Sequence, residues 1–380
     1  MKIGIVTQPL VNNYGGLLQN FALQTVLRKL GHDAITIDQR VFPPEKPIVF
    51  IYRNASVFVR NIVKTILRRG EIKELPYFRK KKVSYPSVEN KNFIDQYIKH
   101  TPIVYGKKRT RKLCRQMGIN AYIVGSDQVW RKNMNSRMAN NFLDFTEEQN
   151  VVRISYAASF GIDKWNFSKR ETSTYKSYLK KFNAVSVRET SGVKLCRKYF
   201  EVDATCVLDP TLLLKATEYN KILDVDFEPN EKFLFAYMLD MTDEKKRFIA
   251  NIADQRNLNV KLVSPASNSS ESIPSVQKWL SLFRNSDFVI CDSFHGMVFS
   301  IIYHKDFLAI SNSGRGNARF YSLVELLGLD SRLVNERETG SYENNTVQTI
   351  DWNMVDNKLE DFRSASIKFL QNNLYQRQNV

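Results

Sequence analysis

The sequence predicts an α/β protein built as two Rossmann-like halves that face each other, and three observations predict it. Short apolar runs of strand-forming residues alternate with stretches of helical apolar spacing along most of the chain, which is the pattern of strand–helix–strand units in a parallel sheet. The 380 residues are too many for one ordinary domain and suit two of roughly 150–200 residues each. Near the end, the run from Asp287 to His304 passes from four strand formers through Asp292-Ser293 into Val298, Ile301 and Ile302 at helical spacing. Open α/β sheets bind ligands at such carboxyl ends of strands.

Taken in order, residues 2–7 form a strand, 13–16 a glycine loop, 17–30 a helix stopped at Gly31, and 34–37 a second strand, a β-α-β opening. After a basic insertion at 48–115, residues 121–124 read as a buried strand ending in Gly125-Ser-Asp-Gln-Val-Trp130. Two more strand-to-turn junctions follow, 153–158 before Ser159-Phe-Gly161 and 184–187 before Arg188-Glu-Thr-Ser191. Val207-Leu-Asp-Pro-Thr211 marks the crossing between halves, because a strand there meets a proline that ends it. The second half continues through strands at 232–238, 259–263, 288–291 and 307–310, with a terminal helix at 359–374. The expected domains are therefore 1–207 and 208–345, followed by a helical segment at 346–380. Ser293 reads as a helix N-cap, which sets the amides of Phe294, His295 and Gly296 at the positive end of a helix, where a phosphate or carboxylate is stabilised. A core histidine beside a tight turn is the plainer alternative.

Composition narrows the class. Hydrophobic residues at 43 % and aromatics at 12 % belong to a folded protein rather than a disordered one. The longest apolar stretches, such as 48–52, fall far short of the ~20 residues of a membrane span. Met1-Lys-Ile-Gly-Ile-Val-Thr7 is too brief for a signal-peptide core and reads as the first strand. Cys114, Cys196, Cys206 and Cys291 make no C-x-x-C pair, and His32, His100, His295 and His304 lack metal-ligand spacing. No disulfide framework and no metal site are expected, and a reducing cytosol fits. Charge is concentrated: residues 53–115 carry +14 of the total +17. Within them Arg60, Lys64 and Arg68 recur at i, i+4 and i+8 opposite Val59, Ile62, Val63, Ile66 and Leu67, a basic amphipathic helix. It is either a solvated face or an attachment to an anionic membrane surface. No nucleic-acid motif accompanies it, so no nucleic-acid partner is expected.

Six motifs stand in sequence: Asn13-Tyr-Gly-Gly-Leu-Leu-Gln-Asn-Phe-Ala-Leu-Gln24, Gly125-Ser-Asp-Gln-Val-Trp130, Ser155-Tyr-Ala-Ala-Ser159, Ser186-Val-Arg-Glu189, Leu208-Asp-Pro-Thr211 and Asp292-Ser-Phe-His-Gly296. As an ordered set, spanning residues 1 to about 330, they resemble the polysaccharide pyruvyl transferase family. Cys291 and Met297 stand where the family more often has threonine or another small residue, and they flank the last motif without altering its histidine. The resemblance implies a GT-B-like fold, two Rossmann-type domains with a cleft between them. It also implies transfer of the enolpyruvyl unit of phosphoenolpyruvate onto two hydroxyls of a sugar in a surface-polysaccharide precursor, giving a cyclic ketal and phosphate. No cofactor beyond the donor substrate is implied. The acceptor would be a sugar or a lipid-linked oligosaccharide, and the expected location is cytoplasmic, peripheral on the cytosolic face of the membrane.

The residues can be set against that chemistry. A carboxylate and a phosphate on the donor need fixed cationic groups, and a guanidinium meets either with two hydrogen bonds. Arg188, at a buried strand end, is a donor-binding candidate, or else pairs with Glu189 or another carboxylate. Ser293, Phe294, His295 and Gly296 join it at the helix start, and Arg315 and Arg319, on a loop after 307–310 with Asn317, either add positive charge or are solvated surface. His295 is the catalytic acid/base candidate, since an ordinary imidazole exchanges protons near neutral pH, and it could equally bind phosphate. Asp127 holds or deprotonates the acceptor diol, or caps the next helix. Tyr14, Gly15, Gly16 and Gln19, with Ser126 and Gln128, are the acceptor-side candidates; a phosphate-binding glycine loop is the rival for residues 14–19, but G-x-G-x-x-G and Walker patterns are absent. His304 reads as a partner of a helix C-terminus. A GT-B glycosyltransferase using a nucleotide sugar is the enzymatic alternative, since fold does not fix function, and a basic membrane or nucleic-acid adaptor is the non-enzymatic one.

Overall fold

The computed structural model describes residues 1–40, 85–340 and 349–375, apart from 136, 149, 225–226, 228 and 266–272. The amphipathic helix expected around Arg60, Lys64 and Arg68 lies outside the described residues. In chain order, β1 (Lys2–Val6), α1 (Tyr14–Lys29) and β2 (Asp33–Thr36) open the first half. There follow β3 (Gln39–Arg40), α2 (Val88–Tyr97), β4 (Val104–Tyr105), α3 (Lys107–Gln116), β5 (Ala121–Val124) and β6 (Val152–Ser155). Next come α4 (Lys169–Leu179), β7 (Ser186–Val187), α5 (Thr190–Leu195), β8 (Thr205–Cys206) and α6 (Ala216–Tyr219). The second half runs β9 (Phe233–Tyr237), α7 (Asp243–Arg256), β10 (Asn259–Val263), α8 (Val276–Asn285), β11 (Phe288–Cys291), α9 (Phe294–Ile302), β12 (Phe307–Ile310), α10 (Ala318–Leu327) and β13 (Leu333–Val334), and α11 (Trp352–Tyr375) closes the chain.

The strands assemble into two parallel sheets, ordered β2-β1-β5-β6 and β10-β9-β11-β12-β13, with small side pairs β3-β4 and β7-β8. Helices cover both faces of a parallel sheet, so its inner strands must be apolar on both sides. That holds for β5, β9, β11 and β12, all of whose residues are buried. At the edge, β10 exposes Val260 and Leu262.

Several local expectations shift. The glycine loop at 13–16 is instead the start of α1: the Asn13 side chain accepts from the Gly16 amide at 3.1 Å, which caps the helix and draws Tyr14, Gly15 and Gly16 into its first turn. The strand predicted at 153–158 stops at Ser155, because the chain turns at Ala157, whose φ is +50°. The crossing strand at 207 ends earlier, at Cys206, and Asp209 caps a 3-10 turn over Pro210–Leu213. The second part of the basic insertion is built into the first half: Phe93 and Tyr97 of α2 pack on Phe21 of α1 at 6.3 and 6.2 Å, and β4 pairs with β3. The terminal helix begins at Trp352 rather than 359, and Val355 in its first turn is already buried.

One apolar cluster joins the halves, taking in Leu17 and Leu18 of α1, Trp279 of α8, Phe299 of α9, and Val355, Leu359, Leu370 and Leu374 of α11. α11 also ties back by hydrogen bonds. Arg363 Nε donates to the Leu212 carbonyl at 2.9 Å, the Leu208 amide donates to Ser366 Oγ at 3.0 Å, and the Tyr375 hydroxyl donates to the Leu30 carbonyl. Among the described residues, no helix is long and apolar enough to cross a membrane.

Candidate functional site

The carboxyl ends of β5 and β11 face one cleft of about 360 Å³. Its walls are the first turn of α1 (Tyr14, Gly15), the turn after β5 (Asp127, Gln128), the start of α9 (Ser293, Phe294, His295) and Arg315 and Arg319.

His295 sits where the sequence places it, in the first turn of α9, with Ser293 as the cap accepting from the Gly296 amide at 3.4 Å. That bond occupies the Gly296 amide, and Gly296 itself packs on Cys291 behind the wall. The imidazole lies against α1: a Cβ on Gly15 would stand 1.9 Å from His295 Nδ1, so glycine is the only residue that lets the helix approach. His295 Nε2 is buried with no hydrogen-bond partner, and the nearest carboxylate oxygen on the other side is Asp209 Oδ2 at 3.8 Å.

Behind the cleft runs an alternating row of charges. Arg188 donates from Nη1 to Asp209 Oδ2 and from Nη2 to Asp127 Oδ1 at 3.2 Å, and Arg319 Nη1 lies 3.7 Å from that same Asp127 oxygen. Both guanidiniums stand over the Phe294 ring, at 4.6 and 5.1 Å from its centroid. Burial pushes the Asp127 carboxyl up, but Arg188, His295 and Arg319 outweigh it and hold it below the usual carboxylate range. Asp209 is likewise buried, and Arg188, His295 and the Thr211 hydroxyl hold it well below that range. Arg319 differs. Burial and repulsion from Arg188 bring its guanidinium down to about 10, its Nε has no partner, and it sits at the positive end of α10, where a cation is disfavoured.

The two donor-side arginines are placed differently. Arg188 has a side chain only 2 % exposed, does not line the cleft, and already pairs with two carboxylates, neither of them Glu189. Arg319, expected on a loop, is buried in the first turn of α10 and faces the cleft with the weaker pairing. Arg315 reaches the cleft but gives both arms of its fork to Asp240, at 2.6 and 2.9 Å.

On the acceptor side the group divides. Tyr14, Gly15, Asp127 and Gln128 line the cleft, whereas Gly16, Gln19 and Ser126 lie behind it. Gln19 accepts from the Ser126 amide at 3.0 Å and donates to Thr7 Oγ1 at 2.9 Å, so it ties α1 to the end of β5. Tyr14 donates its hydroxyl to the Pro274 carbonyl and stacks on Trp279 at 5.1 Å, linking the halves. Gln128 Nε2 donates to the Arg315 carbonyl at 3.3 Å. Asp127, in the left-handed region at φ +69°, caps no helix. His304 follows the end of α9, with its amide donating to the Ile301 carbonyl, and its ring pairs with Asp356 at 3.0 Å while stacking on Trp352 at the start of α11.

Three buried acids escaped the residue-level reading. Asp209 stands within a quoted motif, where Asp-Pro signals a cap, but its second oxygen's partners come from residues far away in sequence. Glu189 accepts from Ser159 Oγ, Phe160 and Gly161 and so fixes the loop after β6; burial pushes its carboxyl up, against the pull of Arg188. Asp292 accepts from Leu239, Asp240 and the buried Lys245, which fixes the end of β11.

Comparison with known proteins gives the fold and the family. No curated protein matches the chain. Among solved structures, the S. aureus MnaA–UDP co-structure shares 11 % identity over 98 % of this chain and 97 % of that one, with a TM-score of 0.50. The UDP-GlcNAc 2-epimerase of Neisseria meningitidis bound to UDP-GlcNAc shares 8 % identity over 99 % of this chain and 100 % of that one, also at 0.50. At such identities the likeness concerns the fold alone, and that fold is GT-B, as expected from the sequence. The family model described as polysaccharide pyruvyl transferase matches residues 13–314, which take in all the residues lining the cleft except Asn12, Arg315 and Arg319. Over most of its length, and with the histidine of its last motif at the floor of that cleft, the chain belongs to the polysaccharide pyruvyl transferase family.

Proposed function

We propose that the protein transfers the enolpyruvyl group of phosphoenolpyruvate onto two hydroxyls of a sugar in a surface-polysaccharide precursor, producing a pyruvate ketal and inorganic phosphate. The observation that carries this reading is one cleft lined by an imidazole, His295, and by a buried, weakly paired guanidinium, Arg319. An anionic substrate supplies the charge that Arg319 lacks, and the imidazole supplies the proton that an enol phosphate requires. Protonated His295 gives its proton to the methylene carbon, leaving an oxocarbenium-like centre. The first hydroxyl bonds to that carbon and its proton returns to His295. Phosphate then leaves as the second hydroxyl closes the ring, and it carries away the second proton. Asp127, held ionised, accepts a hydrogen bond from the diol and orients it.

Lipid-linked acceptors would place the enzyme on the cytosolic face of a membrane. Lys108, Arg109 and Lys112 of α3 support this, being exposed and without an ion pair among the described residues. The test is mass spectrometry of a lipid-linked oligosaccharide incubated with protein and phosphoenolpyruvate, with phosphate assayed in parallel. Ketal formation with equal phosphate release is expected. Release of a nucleoside diphosphate from a nucleotide sugar, without use of phosphoenolpyruvate, would establish the glycosyltransferase alternative instead.

A further inference from the structure

Asp209 does not line the cleft, yet it is among the most heavily partnered carboxylates described. Its Oδ1 accepts from the Thr211 amide at 3.0 Å and from Thr211 Oγ1 at 2.6 Å. Its Oδ2 accepts from Arg188 Nη1 and from Ser126 Oγ at 3.2 Å, and His295 Nε2 stands 3.8 Å away. The side chain is wholly buried. A helix cap needs only the first of these oxygens; the second is aimed between an arginine, a serine and the imidazole.

We propose that Asp209 is the positioning residue for His295, holding the imidazole with its proton on Nε2 so that Nδ1 is the atom that exchanges protons with the substrate. A neutral imidazole carries one N–H and one lone pair. His295 Nε2 is buried without a hydrogen-bond partner, and a carboxylate oxygen, Asp209 Oδ2, stands 3.8 Å from it. A lone pair turned toward that carboxylate is repelled, while an N–H is attracted. The other charged groups around the ring are Arg188, Arg319 and Asp127; the arginines only donate, and Asp127 already shares its Oδ1 between them. The 3.8 Å separation exceeds a hydrogen bond and closes with a small turn about the broad second torsion of histidine. Arg188 thereby gains a purpose that fits its burial: it keeps Asp209 ionised and aimed. When Nδ1 takes up a proton, the imidazolium faces a fixed negative charge, and Asp209 stays deprotonated throughout.

This inference rests on the transfer reading for its kinetic arm only. The spectroscopic arm uses the full chain labelled with ¹⁵N-histidine, in which the two ring nitrogens report the tautomer directly, and His295→Gln identifies the signals. Wild-type protein should show the Nε2–H form, and Asp209→Asn should yield a mixture. In the kinetic arm, Asp209→Asn should lower kcat by on the order of a hundredfold or more while KM for phosphoenolpyruvate changes less than about threefold, because a wrong tautomer impairs proton transfer rather than binding. A role confined to packing would leave the tautomer unchanged. The inference is overturned if wild-type His295 carries its proton on Nδ1, or if Asp209→Asn alters neither tautomer nor kcat. Should Asp209→Asn not fold, the wild-type tautomer alone decides. If wild type releases no phosphate from phosphoenolpyruvate, the transfer reading falls while the tautomer still tests the role of Asp209.

Discussion

At His295 and its neighbours the chemistry is set by who already has a partner. His295→Ala should reduce phosphate release by roughly 10²–10⁴-fold, the usual worth of a general acid–base group, with the melting transition retained. Gly15→Ala should also impair turnover, by tenfold or more, because the new methyl overlaps the imidazole at 1.9 Å and must displace it. Arg319→Lys should raise KM for phosphoenolpyruvate more than Arg188→Lys does, since only Arg319 lines the cleft, whereas Arg188→Lys should mainly lower stability by loosening two buried carboxylates. A further consequence concerns pH. Asp127 and Asp209 have folded pKa values below the unfolded value of about 4, so the stability they supply is complete above roughly pH 4 and is lost as pH falls below it. Melting curves should show that acid loss in the wild type and a shallower one in Asp209→Asn. Sequence reasoning picked out His295 because a motif and a strand–helix junction coincide there. It could not choose between Arg188 and Arg319, because the partners that neutralise Arg188, Asp127 and Asp209, lie 61 and 21 residues away along the chain.

Strands were legible where burial is two-sided. β5, β11 and β12 stand where their apolar runs predict. Junctions were less so, because a cap can turn a glycine pair into a helix start, as Asn13 does for Tyr14, Gly15 and Gly16. The junctions nonetheless do the positioning, and Tyr14 shows how. Its hydroxyl donates to Pro274 just ahead of α8, so α1 of one half is fixed against the other half beside the imidazole. Tyr14→Phe should cost about 1 kcal/mol of stability, the ordinary net value of one hydrogen bond. Denaturant titration would measure this, and an unchanged midpoint would show that the contact contributes nothing.

Over the whole molecule, two parallel sheets share a cleft and α11 spans back from the second half to the first. The alternation of strands and helices announces this architecture, whereas the return of α11 rests on contacts such as Ser366 with Leu208 that no local pattern encodes. The uneven charge adds a surface property. Each Lys or Arg near an anionic bilayer contributes on the order of 1 kcal/mol, screened by salt. Replacing Lys108, Arg109 and Lys112 by glutamine should weaken sedimentation with anionic vesicles and leave turnover of a soluble acceptor unchanged. If wild type ignores such vesicles at low salt, the membrane-facing role is wrong. The account as a whole stands on the donor, so the most direct measurement follows phosphate and acceptor mass together after phosphoenolpyruvate is added to wild-type protein and a sugar acceptor. It predicts one phosphate released per ketal formed, and both lost in His295→Ala. Phosphate release that is equally fast in His295→Ala, or an acceptor whose mass never changes, would contradict it.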